Sequence, residues 1–288
     1  MVEVTDESGQ LVICIGGQEY ARYRYSHECW RPFLYPLRAA NGLSILADSP
    51  TDHRNHHGFW IGHARVNDTD CWSERHDSGR IVHRIFTEIT GGSTAARFTE
   101  RCDWVALDGR IILADTRSFI FFDTPSDARV FDFEIELRAP DGCPEVTLHQ
   151  TNEAGLPHLR MAEGLSVNSG GTLINAEGKV GERGTYKQRS HWLDCSGKLG
   201  RLMCGVAMFD HPDNPDYPTR WFTRDYGAFS PNYAFFQETP TVITPGSPLR
   251  LRYRVYSHTG DVTDANVAGK WAEYRTAVGA GVPGLVTY

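Results

Sequence analysis

Hydrophobic and polar positions alternate at every second residue along much of this chain. From Phe131 to Leu137, apolar residues alternate with acidic ones, and Leu249–His258 repeats the pattern with arginine at several of the polar positions. Because successive side chains of a β-strand point to opposite faces, this period predicts strands with one buried and one wet face. Further apolar or alternating runs are Leu11–Ile15, Tyr20–Tyr25, Arg80–Ile89, Thr94–Val105, Arg110–Phe122, Ala128–Leu137, Glu145–Gln150 and Leu202–Phe209.

Turn-forming residues separate these runs. Gly16-Gly17 lies between the first two and predicts a hairpin, and Asp108-Gly109 has similar turn chemistry. Two segments suggest a helix, Asp261–Tyr274 and the weaker Leu156–Gly164. Since no change in composition marks a domain boundary, we predict one all-β domain over residues 1–288. We expect a large antiparallel β-sandwich with few short helices.

Composition and charge restrict the setting in which the protein works. The longest apolar runs, such as Phe119–Phe122, are far shorter than the ~20 residues of a membrane helix, so no membrane partner is expected. The net charge of −7, without a basic stretch, argues against nucleic acid. Seven scattered cysteines without a Cys-x-x-Cys pair predict reduced thiols and a cytoplasmic location. Whether the chain forms a homo-oligomer is left open.

Histidines are concentrated near the start of the chain, and the densest group is His53, His56 and His57. The group precedes Phe59–Gly62, which we interpret as the start of a buried strand, so the imidazoles would face a pocket at the strand mouth. Because imidazole titrates near neutral pH, we predict His53 and His57 as catalytic groups. Two alternatives stay open. The three histidines could hold a divalent metal, with no other cofactor expected, or they could cap a turn.

A second group of polar residues follows the Glu145–Gln150 run. His149 and Glu153 are predicted as catalytic groups, with Arg160 as a substrate-binding residue that would fix the charge of the Glu153 carboxylate. The alternative is an Asn/Gly turn in which Glu153 and Arg160 form a surface salt bridge.

A third group combines carboxylate, imidazole, guanidinium and aromatic side chains. It consists of Asp210, His211, Arg224 and Tyr226, to which we add Trp60. Polar side chains of this kind bind hydroxyls, and flat rings pack on the apolar face of a sugar, so the group predicts a site for a small sugar substrate. The alternatives are ordinary turn chemistry around Asp213-Asn214 and a tryptophan that belongs to the core.

Several motifs along the chain resemble the PmoA-like family, a domain of unknown function. They are Arg31–Arg38, Asp52–Trp60, Val66–Asp68, Trp72–Glu74, Asn175–Lys179, Trp192–Gly197, Phe209–Pro215, Arg224–Gly227 and Leu251–Arg254. The resemblance covers nearly the whole chain and implies a setting in carbohydrate catabolism. The family's inherited label of methane oxygenase subunit is rejected, because such a subunit is an integral membrane protein and no segment here is long enough to span a membrane.

The order of these elements also resembles the galactose-mutarotase-like β-sandwiches. Asn55–Gly58 stands where aldose epimerases carry an Asn-x-x-His-Gly-Gly element, and His149 stands near their second histidine. Glu238 could stand near their catalytic glutamate and is included here among the substrate-binding residues. The resemblance implies a supersandwich fold and a sugar ligand.

The leading hypothesis is an enzyme that acts on a sugar, keto-sugar or glycoside by general acid–base proton transfer. It would be a lyase, hydrolase or epimerase of 3-keto-glycoside type. A non-catalytic sugar-binding β-sandwich and a histidine–metal enzyme are the alternatives. The hypothesis requires that His57, His149, Glu153 and Arg160 converge in one pocket.

Overall fold

The computed structural model describes residues 1–234 and 239–279. Within these ranges the chain forms eighteen β-strands and two α-helices. The strands are β1 (Val2–Asp6), β2 (Gln10–Ile15), β3 (Gln18–Arg24), β4 (Phe33–Leu37), β5 (Phe59–His63), β6 (Arg80–Thr90), β7 (Ala95–Val105), β8 (Ile111–Phe122), β9 (Ala128–Arg138), β10 (Val146–Leu148), β11 (Ala154–Arg160), β12 (Thr172–Asn175), β13 (Trp192–Leu199), β14 (Leu202–Asp210), β15 (Trp221–Arg224), β16 (Ala228–Pro231), β17 (Thr241–Ile243) and β18 (Leu249–Thr259). The helices are α1 (Gly181–Thr185) and α2 (Val267–Gly279), and short 3₁₀ turns cover Glu163–Leu165 and Val167–Ser169.

Two eight-stranded antiparallel sheets make up the architecture. The first sheet has the order β1-β2-β3-β4-β5-β11-β16-β15, and the second has the order β12-β13-β14-β18-β9-β8-β7-β6. Strands β10 and β17 form a separate antiparallel pair. The predicted large antiparallel β-sandwich with few helices is therefore confirmed.

Aromatic side chains fill the space between the two sheets. Phe59 of the first sheet contacts Phe119 and Phe133 of the second, with ring centroids 5.7 and 5.1 Å apart. All three rings are at most 1% exposed. Burial of large rings in edge-to-face contact supplies much of the driving force for such a core. The inner face of β5 is thereby fixed against the second sheet.

The alternating patterns correspond to real strands. Leu249–His258 lies within β18, whose residues pair in continuous register with those of β9. The hairpin predicted around Gly16-Gly17 joins β2 to β3, and both glycines have positive φ angles of 61° and 76°. Two consecutive residues with positive φ form the type of turn that matches the twist of a two-residue hairpin, and glycine adopts it without strain.

One of the two predicted helices is found and the other is wrong. The helix expected over Asp261–Tyr274 begins later, as α2, and packs Trp271 and Tyr274 against Phe209 on the outer face of the second sheet. The segment Leu156–Gly164 instead begins within strand β11, all seven residues of which are buried. A strand buried on both faces loses the alternation of polarity, which is why its sequence could be mistaken for a helix.

None of the helices found in residues 1–234 and 239–279 is both long and apolar enough to cross a lipid bilayer.

A charged network lies in the core beside the aromatic rings. The Arg117 guanidinium donates to Asp115 at 2.8 and 2.5 Å, and Asp115 also accepts a hydrogen bond from Trp104 Nε1 at 2.7 Å. Glu100 accepts hydrogen bonds from the Tyr23 hydroxyl and, at 2.5 Å, from His83 Nδ1. Buried charges are tolerated only when they are paired and hydrogen-bonded in this way.

Replacing Arg117 with methionine should lower the free energy of unfolding by about 3–5 kcal/mol, because it leaves the buried Asp115 carboxylate without its counter-ion. Urea denaturation measures the change. The matched control is Arg84→Met, which removes a guanidinium that is 47% exposed and pairs with Asp103 near the surface. The control should cost less than about 1 kcal/mol. Equal losses in the two variants would contradict this account of the core.

Candidate functional site

The face of the first sheet that points away from the core carries a group of polar and aromatic side chains. Trp60 on β5 is paired with His158 on β11 and with Phe33 on β4. Because Phe59 and Leu159 point into the core, Trp60 and His158 point outward. We call the following residues the outer-face cluster: Asp52, His53, His56, Trp60, Trp72, His158, Arg160, Phe222, Arg224 and Tyr226.

The segment before β5 is held onto this face by backbone hydrogen bonds. Gly58 N donates to Ala47 O, and Arg160 N donates to Gly58 O, both at 2.8 Å. Gly58 has a φ of +52°, and a Cβ atom built on it would lie 2.3 Å from Leu34 O. Only glycine fits this position without displacing the backbone. The glycine after the histidine group therefore lets the loop 48–57 close over the sheet.

His57 fastens the same loop from its side chain. Its Nδ1 lies 2.6 Å from Asp48 Oδ1, and its Nε2 lies 2.8 Å from Glu74 Oε1. Both ring nitrogens are therefore occupied by carboxylates, which leaves neither for a substrate. Burial alone would lower the pKa of His57, but the hydrogen bonds to Asp48 and Glu74 outweigh it, and the pKa is raised. The geometry makes His57 a positioning residue rather than the predicted proton acceptor.

His53 keeps one ring nitrogen for chemistry. Asp52 Oδ2 lies 3.0 Å from His53 Nδ1 and accepts a hydrogen bond at 2.6 Å from Arg160 Nη2. Burial would raise the pKa of Asp52, but the hydrogen bonds from Arg160 and His53 prevail and lower it. An ionised Asp52 requires the hydrogen on Nδ1, so Nε2 of His53 is the basic nitrogen. His53 is 38% exposed, which gives a ligand access to it.

Aromatic rings surround these groups. The ring of Tyr226 stacks on His53 with centroids 4.8 Å apart, and the guanidinium of Arg160 lies 4.6 Å from the centre of the same ring. Trp72 packs against Trp60 and His158, with ring centroids 5.5 and 5.1 Å apart. These contacts fix the orientations of the polar groups.

Arg224 closes the side of the cluster nearest α1. Its guanidinium lies 4.5 Å from the centre of the Phe222 ring and donates to Glu182 Oε1 at 3.1 Å. Glu182 lies in α1, whose first turn is fixed by a hydrogen bond from Glu182 N to Asp225 Oδ1 at 2.7 Å. The loop between β15 and β16 thus holds both Arg224 and Tyr226 at the site.

Several buried nitrogen atoms of the cluster have no hydrogen-bond partner among the described residues. They are Nδ1 of His56, Nε1 of Trp60, both ring nitrogens of His158, and Nε and Nη1 of Arg160. Buried polar groups in folded proteins are nearly always paired, so a concentration of unpaired ones needs an explanation. A ligand that supplies the missing partners is the usual one at a functional site.

The two deeper imidazoles are neutral at physiological pH. Burial, followed by the positive charge of Arg160, lowers the pKa of His158 to about 3. The carbonyl of Ala154 lies near the ring and opposes this shift in part, but it does not have the geometry of a hydrogen bond to either ring nitrogen. Burial and the neighbouring His158 lower the pKa of His56 even further. Neutral imidazoles at the base of the site can each donate one hydrogen bond and accept another.

Two predicted catalytic residues lie elsewhere. Glu153 is exposed and lies directly before β11, whereas Arg160 ends that strand. A seven-residue strand is about 20 Å long, so the expected pairing of Glu153 with Arg160 is wrong. His149 also lies at the far end of β5, where its carbonyl accepts a hydrogen bond from His63 Nε2 at 2.9 Å. The convergence required of His57, His149, Glu153 and Arg160 is therefore not found.

Asp210 and His211 belong to the other sheet. Asp210 is fully buried at the end of β14, where it accepts hydrogen bonds from Asn214 Nδ2 and Thr219 N, each at 2.8 Å. Burial raises its pKa to about 7. His211 lines a cavity of about 790 Å³ between the outer face of the second sheet and α2. The two residues shape a loop and do not join the outer-face cluster. Glu238 lies outside the described residues.

The histidines proposed as metal ligands do not form a metal site. In the part of the chain that the structure describes, no group of three or more histidine, cysteine or acidic side chains is arranged to hold a metal ion. The rings of His53 and His56 stack at 4.5 Å, and both nitrogens of His57 are bound to carboxylates. The expected set of His53, His56 and His57 therefore has no common point at which to bind an ion.

The predicted residues that do come together are His53, Trp60, Arg160, Arg224 and Tyr226. His158 and Asp52 also belong to the outer-face cluster and were not predicted from the sequence. His158 and Arg160 are two residues apart around the buried Leu159, so the period of a strand could have placed both on one outward face. The role of Asp52 follows from its distant partner Arg160, which no local pattern reveals.

The chain belongs to a protein family of unknown function, DUF6807, which it matches over residues 10–272. No curated protein sequence matches the chain. The family carries no assigned activity, and the PmoA-like resemblance stays a prediction.

Two solved structures are similar to this chain. One is the α-galactosidase from Lactobacillus brevis, with a TM-score of 0.42 and 10% sequence identity over 89% of this chain. The chain spans 39% of the length of that protein. The other is a galactose mutarotase-like protein from Lactobacillus casei ATCC 334, with a TM-score of 0.26, 11% identity, and coverage of 90% of this chain and all of the other.

Replacing His57 with glutamine should remove a pH-dependent stabilisation. Because the pKa of His57 is raised in the folded protein, the charged imidazole stabilises fully below its ordinary pKa of 6.5. That contribution is lost as the pH rises through the raised value. The wild type should exceed His57→Gln in free energy of unfolding most clearly near pH 6, and the difference should shrink at alkaline pH.

Urea titrations across this pH range measure the effect. His27→Gln, at an exposed histidine, is the matched control and should behave like the wild type. The prediction fails if the wild type gains free energy of unfolding over His57→Gln as the pH rises. That result would show that the imidazole is neutral between its two carboxylates.

Proposed function

We propose that this protein is an enzyme that binds a sugar at the outer-face cluster and transfers a proton through His53. The observation that carries the proposal is the shared carboxylate oxygen of Asp52, which is bound by both His53 Nδ1 and Arg160 Nη2. An acid that orients an imidazole and leaves its second nitrogen accessible is the arrangement of a general base.

The surroundings of His53 suit a sugar. Tyr226 is a partly exposed ring next to nitrogen donors, and such rings pack on the apolar face of a pyranose while donors bind its oxygens. The guanidinium of Arg160, 4.6 Å from the centre of the Tyr226 ring, would stabilise negative charge that develops on a substrate oxygen. The proton acceptor and the charge stabiliser are thus neighbours.

The reaction class proposed is proton abstraction from carbon next to a carbonyl, as an epimerase or lyase of a keto-sugar requires, or a hydrolase that cleaves a 3-keto-glycoside by elimination followed by addition of water. His53 Nε2 would take the proton, and Arg160 would face the oxygen that gains charge. General acid–base catalysis of this kind contributes about 10²- to 10⁴-fold to a rate. The resemblance to PmoA-like proteins supports a carbohydrate substrate.

A non-catalytic sugar-binding protein is the second candidate. The neutral state of His56 and His158 favours it, since both can bind hydroxyls without exchanging protons. Such a protein would be stabilised by a saccharide that it never converts.

Proton abstraction can be measured directly in deuterated water. Methyl 3-keto-glucosides incubated with the wild type should exchange the hydrogen next to the carbonyl, as followed by proton NMR. His53→Gln should slow this exchange by about 10²- to 10⁴-fold. Its thermal transition should stay near that of the wild type, because His53 is partly exposed.

His27→Gln serves as the control, because this exposed histidine lies outside the cluster and should leave the exchange unchanged. Full exchange by His53→Gln would refute the assignment of the base. Saccharides that raise the melting temperature without any exchange would instead identify a binding protein.

A further inference from the structure

The unpaired nitrogens of the outer-face cluster differ in what they can do in a hydrogen bond. Trp60 Nε1 and the Nε and Nη1 atoms of Arg160 can only donate. His158, being neutral, offers one donor and one acceptor. His56 Nδ1 can either donate or accept a hydrogen bond, depending on the tautomer of the ring. Donors therefore outnumber acceptors whichever tautomers the two imidazoles adopt.

A hydroxyl group does not satisfy such a set well. A hydroxyl has a hydrogen that must itself be donated, and this hydrogen would meet a donor of the protein. Two donors that face each other both stay unpaired, which costs binding free energy. A carboxylate accepts only and has two oxygens with about four lone pairs between them. The inventory at the base of the site matches the carboxylate.

The charges around the site point to the same ligand. In three of the nearby ion pairs the arginine is more deeply buried than the acid that it contacts, whereas Arg24 is more exposed than its partner Asp48. For Arg160 and Asp52 the exposed fractions of the side chains are 8% and 42%, and for Arg224 and Glu182 they are 24% and 37%. For Arg31 and Glu74 the exposed fractions of the side chains are 2% and 17%.

Because water screens the outer carboxylates more than the inner guanidiniums, these three pairs favour an anion on their inner side. Arg160 is the first of the charges acting on His158, and its effect there is to disfavour a second positive charge. The neutral His158 therefore leaves the positive charge of Arg160 free to attract a bound anion.

We propose that the donors of Trp60, Arg160 and His158 bind the carboxylate of a sugar acid such as a uronic acid. The inference rests on the proposed function, because it places the carbon next to that carboxylate within reach of the base His53. Hydrogen bonds from several directions fix the acid group, and the stacked ring of Tyr226 lies alongside.

The chemistry follows from this placement. His53 Nε2 accepts the proton from the carbon next to the carboxylate, and the electron pair of the broken C–H bond moves toward the carboxylate carbon to form an enediolate. The two oxygens gain charge, which the donors stabilise. Return of the proton restores the acid. Alternatively, the oxygen on the next carbon leaves as its C–O bond breaks, takes the proton from His53, and a C=C bond forms.

Wild-type protein should distinguish a carboxylate from its amide. Isothermal titration with methyl glucuronides and methyl galacturonides is compared with titration of the corresponding uronamides, which differ only by an NH₂ group that donates. The acid of at least one sugar should bind about 10- to 100-fold more tightly than its amide, as expected for hydrogen bonds to a charged group. Equal affinities would overturn the inference.

Trp60→Phe tests the same site while keeping an aromatic ring. Affinity for the acid should fall about tenfold, and affinity for the amide should change less. Trp221→Phe is the matched control, since Trp221 is equally buried but its Nε1 already donates to Ser190 O at 2.9 Å. It should leave acid binding unchanged. Its melting temperature should fall further than that of Trp60→Phe, which loses no hydrogen bond in the free protein.

The two proposals can fail separately. If a neutral keto-sugar undergoes His53-dependent exchange and no sugar acid binds, the carboxylate site is wrong and the proposed proton transfer stands. If acids bind in a Trp60-dependent manner and no sugar exchanges a proton, the carboxylate site stands and the catalytic proposal is wrong.

Discussion

The alternation of side chains across the paired strands β5 and β11 is the constraint on which both the core and the site depend. Phe59 and Leu159 turn inward to the rings of the second sheet, and Trp60 and His158 turn outward as a directly opposed pair. A shift of one residue in either strand would exchange these faces. It would place an imidazole among phenylalanines, where its ring nitrogens would have no partners. The aromatic core therefore also fixes the positions of the site residues.

The same period explains which parts could be predicted from sequence. Half-buried strands such as β9 and β18 show it clearly, and the turns between them have characteristic residues, so the sandwich could be predicted. The strand β11 hides it, because all its residues are buried. The sequence could indicate candidate residues where a loop presents them locally, as with His53, but it could not indicate contacts between residues that are distant in sequence, such as Asp52 and Arg160. Glu153 and Arg160 are close in sequence and yet lie at opposite ends of one strand.

Two buried polar groups in this molecule illustrate different physical states. Around Arg117, both oxygens of Asp115 accept hydrogen bonds and the opposite charges are in direct contact, although Nη1 of Arg117 is itself without a partner among the described residues. Around Arg160, one guanidinium nitrogen is paired with Asp52, and two others are buried without partners. The first arrangement stabilises the folded protein as it stands. The second costs free energy until something binds, which is the expected signature of a site whose partner is a ligand.

The loop 48–57 links this cost to the rest of the fold. His57 binds Asp48 at one end of the loop and Glu74 beyond it, and these two carboxylates raise the pKa of the imidazole and so favour its charged form. This bridge and the backbone contacts of Gly58 hold His53 and His56 against the sheet. The side chain of His56 contributes little to this, because its Nδ1 has no hydrogen-bond partner among the described residues of the free protein. Ordering the loop before the ligand arrives removes an entropic penalty from binding. The histidine best placed in sequence to be a catalyst thus contributes by holding its neighbours in position.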